Sequence, residues 1–293
     1  GDPILVRRSE APRLPKSRLP STPATTATTM TSSVRQYVVD LDAPAKQRWV
    51  HVVRDYKAEF MAVQAQILEE AEELVGKHAL KVEALLRGFL AAAAKTRVVF
   101  YGDELQGIAD ETGMSLGHLV LVQLLYECAT CCTSIVLDGD ADTPPLLVRT
   151  MDWYGDYLRP LTIEVAFQRA KRTVFTATTW AGYVGVLTGM RHNAFGVSVN
   201  FRATADGSFW NNIKKALGRA WPNGFLVREV LDDDAATYDA AVAYLADSAL
   251  IAPCYFTVVG TRAGQGAIIT RNINGDEHRL TLAHAADTAT AAA

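Results

Sequence analysis

A chain of 293 residues is long enough for one large or two ordinary domains with a sizeable core. Hydrophobic residues make up 49% and charged residues 21%, an ordinary globular balance, and a formal net charge of -3 gives no reason to expect nucleic acid or an anionic membrane as partner. No apolar run reaches the roughly 18 residues of a spanning helix, and the first residues lack the apolar core of about 7–15 residues that marks a signal peptide.

Residues 1–35 read as a disordered leader. Pro3, Pro12, Pro15, Pro20 and Pro23 interrupt it, and Arg7, Arg8, Arg13, Lys16, Arg18 and Arg35 outweigh Asp2 and Glu10. A loose tail is preferred over a transit peptide. A start at Gly1 leads us to expect a missing beginning, with Met30 as an alternative start. Residues 36–41 (QYVVDL) predict a short strand. Val53, Tyr56, Phe60, Val63 and Ile67 recur at gaps of three and four, the mark of one apolar helix face. Val82, Leu85, Leu86, Phe89 and Leu90 predict a second helix. Ser115 caps a third, through Leu116, Leu119, Val120 and Leu124.

The texture changes at Cys132. Strands are predicted at 133–137 and 146–151 around a turn-rich 138–145, then at 161–167, 173–178 and 195–200. Helices follow at 209–217, 225–231 and 238–245, and strands at 255–260 and 267–271. The Ala-rich end, 283–293, carries little core material. The chain is therefore α+β, helical before Cys132 and mixed after it.

Three of the cysteines, Cys128, Cys131 and Cys132, fall within five positions, with Cys254 apart. Cys128 and Cys131 form a C-x-x-C, but no second pair or nearby His completes a zinc site, so a structural zinc is not expected. An N-terminal nucleophile offers a different reading. In such enzymes a Cys, Ser or Thr heads a processed chain, and its α-amine, with a pKa of about 8, serves as general base. The nucleophile must begin a strand, as Cys132 does before Thr-Ser-Ile-Val. A hairpin would return Arg149 and Asp152 alongside it, Asp152 to hold the α-ammonium and Arg149 to support the thiol or a carbonyl oxygen. The competing readings are a buried inert Cys and a surface ion pair.

Residues 132–136 (CTSIV) followed by 149–152 (RTMD) resemble the acid ceramidase and N-acylethanolamine acid amidase family. The likeness continues through 160–167 (PLTIEVAF), 181–189 (AGYVGVLTG), 250–253 (LIAP) and Ile269 to Arg271, and upstream through 41–44 (LDAP) with Arg48 and Trp49. It covers about residues 36 to 272. It implies an αββα four-layer sandwich, a precursor that cuts itself between Cys131 and Cys132, and hydrolysis of a lipid amide with no metal or organic cofactor. The segments would be a helical small (alpha) subunit at 36–131 and a truncated catalytic (beta) subunit at 132–282, both from one precursor. Cys132, Arg149 and Asp152 are the implied catalytic residues. Met151, Trp153, Trp180 and Tyr183 are candidate groove liners, with core packing as the competing reading. The helix bearing Phe89 and Leu90 is a candidate for transient membrane contact. Ceramide is the first expected substrate and an N-acylethanolamine the second; penicillin or bile-salt amides are more distant readings. The family is lysosomal.

Three departures stand out. Phe201 occupies the place of a family Glu, beside Arg202. No Thr-Asn-x-Asp segment, whose Asn serves the oxyanion hole, follows Arg271. No Cys before Cys128 can tie the subunits by a disulfide. These keep an impaired or non-catalytic homologue, or an incomplete gene model, among the readings.

Overall fold

The computed structural model describes residues 34–63, 66, 99–124, 131–152, 156–204, 220–234 and 236–282. The predicted helices at 82–90 and 209–217 lie outside them, as do Ile67, Trp153 and the Ala-rich end.

The large sheet begins with a strand from the amino-terminal half. Strand β1 (Arg35–Asp40) carries the β-branched pair Val38 and Val39 and buries Val39. It pairs in parallel with β4 (Thr162–Arg169), from Arg35 opposite Ile163 to Asp40 opposite Gln168. From β4 the sheet continues antiparallel through β5 (Arg172–Trp180), β6 (Thr188–Arg191), β7 (Phe195–Phe201), β8 (Cys254–Val259), β9 (Gly266–Asn272) and β10 (Gly275–Thr281). A separate hairpin joins β2 (Cys131–Leu137) to β3 (Leu146–Asp152). Its turn is closed by Asp140, whose Oδ1 accepts from the Asp142 and Thr143 amides at 2.9 Å each.

Alternation along the strands sorts the two faces of the large sheet. One face carries Val39, Val165, Phe167, Phe175, Val197, Val199, Phe256, Val258 and Ile269, all buried. The helices cover this face: α1 (Val50–Asp55), α2 (Gly102–Thr112), α3 (Leu116–Gln123), α4 (Asn223–Asp232) and α5 (Tyr238–Asp247). The predicted stripe of Val53, Tyr56, Phe60 and Val63 is buried, and Ser115 caps α3 by accepting from the His118 amide at 3.3 Å. The hairpin lies against the opposite face, over β7 and β8.

The two halves of the chain share this one sheet and one core. Trp49 meets Phe167 edge-on at 5.8 Å, and Phe100 stacks on Trp221 at 3.9 Å. Gln123 of α3 grips the 181–186 turn from both sides, donating to Gly182 O at 2.9 Å and accepting from Val184 N at 2.8 Å. Gly182 has φ 87°, and Phe60 lies where its Cβ would be, so a side chain there is barred by both backbone and neighbour. At the centre Glu104 is held by four donors. Arg228 Nη1 and Nη2 reach it at 2.6 and 2.8 Å, Arg48 Nη1 at 2.9 Å and Trp49 Nε1 at 2.6 Å. Glu104 and Arg228 are each 1% exposed. Burial alone would push the Glu104 carboxyl up. The Arg228 charge and these donors outweigh it and hold the carboxyl below its ordinary value.

Helix layer, large sheet and hairpin are three layers of the α+β architecture. Among the described residues no helix covers the hairpin's outer face, where Ile135 and Leu146 are 50% and 55% exposed.

Candidate active site

The hairpin's inner face carries Cys132, Ser134 and Val136 on β2 and Leu147, Arg149 and Met151 on β3, half-buried where the outer residues are exposed. In the ladder Cys132 pairs with Met151 and Ser134 with Arg149. Residues two apart on facing strands are diagonal neighbours, which puts the Arg149 guanidinium beside the Cys132 sulfur. Arg149 Nη2 lies 3.3 Å from Cys132 Sγ.

Arg149 is fixed on several sides. Nη2 also donates to the Val199 carbonyl at 3.1 Å, Nη1 to Thr188 Oγ1 at 3.1 Å, and Nε to Asn200 Oδ1 at 3.4 Å. Asn200 Oδ1 also accepts from Ser134 Oγ at 3.0 Å, and Ser134 Oγ lies 3.0 Å from Ser198 Oγ. The planar fork of one arginine thus ties β3 to β6 and β7. An arginine so held offers donors to negative charge that develops beside the sulfur.

Asp152 is placed differently. It closes β3 opposite Cys131, is exposed, and lies on the hairpin face away from Cys132 Sγ. Its Oδ2 accepts from Thr150 Oγ1 at 3.5 Å. Its neighbour in the ladder is thus the residue before Cys132, next to the Cys131–Cys132 peptide.

Of the groove candidates, Met151 is half-buried beside Cys132. Trp180 is half-buried and meets Tyr183 edge-on at 5.9 Å. Tyr183 itself belongs to the helix-side core. It leans on Phe225, and its ring and hydroxyl lie where side chains at Gly185 and Gly224 would be. Two glycines make room for this one tyrosine, which is buried under α4.

The sequence reading missed Asn200, Thr188 and Ser198. It weighed Phe201 as the place of a lost Glu. Strand alternation turns Asn200 toward Arg149 and Phe201 to the other face. The signal was available: on β7, Ser198 and Asn200 alternate with the apolar Val197 and Val199.

Comparison with known proteins follows the same segments. A family model described as the beta subunit of N-acylethanolamine-hydrolyzing acid amidase matches residues 32–91. That description puts the word beta on the amino-terminal segment, which the sequence reading labels alpha. An acid ceramidase of Balaenoptera acutorostrata scammoni is 34% identical over 256 residues, covering 80% of this chain and 63% of that protein. The chain thus spans less than two thirds of that relative's length. An uncharacterized protein of Acanthamoeba polyphaga mimivirus is 30% identical over 246 residues, covering 80% of this chain and 73% of that one. A solved structure of a Caenorhabditis elegans N-acylethanolamine-hydrolyzing acid amidase ortholog is 31% identical, covers 54% of this chain and 66% of its own, and has a TM-score of 0.46. The family match at the start and the relatives over four fifths of the chain place it in the acid ceramidase and N-acylethanolamine acid amidase family.

Proposed function

We propose that this chain is a self-processing cysteine amidase acting on N-acyl lipids, with ceramide as the first substrate and N-acylethanolamines as the second. The observation that carries the proposal is Cys132 Sγ, 3.3 Å from a fixed Arg149 at the head of a strand, in a chain of this family.

The reaction has two stages. In the uncut chain the Cys132 thiol adds to the Cys131 carbonyl, the peptide rearranges to a thioester, and water hydrolyses it. This frees the α-amine of Cys132. That amine then takes the thiol proton, and the thiolate attacks the substrate amide carbonyl. Arg149 supplies hydrogen-bond donors near the developing negative charge. The leaving amine takes the proton as the C–N bond breaks, and water releases the fatty acid from the acyl-thioester. Asp152 stands next to the scissile peptide, where it can orient the freed ammonium. A lysosomal setting follows from the family resemblance.

The test is hydrolysis of a fluorogenic ceramide and a fluorogenic ethanolamide by the purified chain. The proposal expects turnover of at least one, faster for ceramide, and none with Cys132→Ala. Equal turnover by the wild type and Cys132→Ala would remove Cys132 from the chemistry.

A further inference from the structure

We propose that Asn200 is the positioning residue that aims the Arg149 charge at Cys132. This rests on the reading of Cys132 as nucleophile and adds a residue that the motif of Cys132, Arg149 and Asp152 does not contain.

The geometry is specific about which atom does the work. An arginine Nε can only donate, so the Asn200 atom facing it at 3.4 Å is the carboxamide oxygen. Ser134 spends its one hydroxyl proton on the same oxygen at 3.0 Å. Ser134 must then accept from Ser198, 3.0 Å away. The oxygen is a junction for three strands: Ser134 from β2, Arg149 from β3 and Asn200 itself from β7. Arginine reaches its guanidinium through several rotatable bonds, and a long side chain loses substantial rotamer entropy when fixed. The Nη1 bond to Thr188 and the Nη2 bond to Val199 O anchor one end of the fork. The Nε bond to Asn200 fixes its roll about the side-chain axis. Without it the fork keeps those two bonds but loses the one that sets its roll, and Nη2 spends less of its time at the sulfur while the hairpin stays packed.

The prediction concerns charge at the sulfur, so the probe is charge. Cys132 is alkylated with iodoacetate, an anion, and with iodoacetamide, its neutral counterpart, and the rates are read at Cys132 by fragmentation of its peptide, which separates it from Cys128 and Cys131. Buried Cys254 should stay unlabelled in the folded chain, so its labelling reports unfolding. A cation held beside the sulfur favours the anionic reagent. In Asn200→Leu the iodoacetate-to-iodoacetamide rate ratio is expected to fall by about twofold or more, with a ceiling of about fivefold, the worth of losing one whole unit charge nearby in water. In the Arg149→Gln background the same substitution is expected to change nothing further, because its effect passes through Arg149. A purely structural role would alter both reagents alike and leave the ratio unmoved. Should Asn200→Leu not fold, as judged by its thermal transition, Asn200→Ala is read in its place. An unchanged ratio in the folded variant, or an equal fall without Arg149, overturns the proposal. The ratio is measurable in cut and uncut chain alike. A chain that never cuts but shows the coupled ratio therefore contradicts the self-processing reading and leaves this one standing.

Discussion

Replacing Arg149 by Gln removes the donors beside the sulfur and should lower kcat/KM by about 10²–10³-fold, the usual effect of losing a donor to a developing oxyanion. Arg149→Lys should recover little, because an ammonium cannot serve Thr188, Val199 O, Asn200 and Cys132 from one plane. Both are checked by steady-state kinetics alongside thermal melts. Asp152→Asn should act at a different point. Asp152 lies opposite Cys131 and away from the sulfur, so alkylation of Cys132 in the uncut chain should hold while turnover by the cut chain slows. At this scale Cys132 and Arg149 were legible, because strand-to-strand return makes the spacing of two short motifs meaningful. Asn200 was not, since it comes from β7, and only the packing of hairpin on sheet brings it to Arg149. The burial of Tyr183 was not legible for a related reason. Its neighbours Gly185 and Gly224 are what admit it to the core, and one of them lies on a distant helix.

The elements of the two halves meet at Glu104 on α2 and Arg228 on α4. Removing one partner of a buried pair leaves the other charge uncompensated, and Arg228→Met should destabilise the chain by about 3–5 kcal/mol in urea unfolding. The acid limb has a definite sign. The folded Glu104 carboxyl lies below its ordinary value, so the stability it contributes is full above about pH 4.3. It is lost as pH falls through the lower folded value. Glu104→Gln should therefore be less stable at neutral pH and flatter in acid, as a series of melts from pH 7 to 3 would report. Gly107→Ala tests the seat of α2: a methyl there would overlap the Lys46 carbonyl, so a loss of about 1–3 kcal/mol is expected. Most strands and helices were readable within two residues from apolar periodicity. α2, β6 and β10 were not. β6 has only four residues, two of them (Thr188 and Gly189) at the end of the AGYVGVLTG segment, and β10 is an exposed edge strand of mostly polar residues with no apolar alternation.

Across the whole molecule, a maturation cut at Cys132 would not separate two independently folded bodies. β1 remains in the sheet beside β4, and the Glu104 cluster spans the cut, so the pieces should stay together without a disulfide. The change of texture at Cys132 was plain in the sequence. That both sides share one sheet was not, because a parallel edge pairing leaves no local signature. On the hairpin's outer face Ile135, Leu137, Leu146 and Val148 are exposed. Ile135→Thr with Val148→Thr should cost less than about 1 kcal/mol and reduce binding of an apolar dye. The measurement that bears most directly on the account is the denatured intact mass of the purified chain after incubation at mild acid pH. The account predicts two fragments, the second beginning at Cys132, that travel together under native conditions, and a single full-length species for Cys132→Ala. A folded chain that remains one uncut species in both proteins would contradict it.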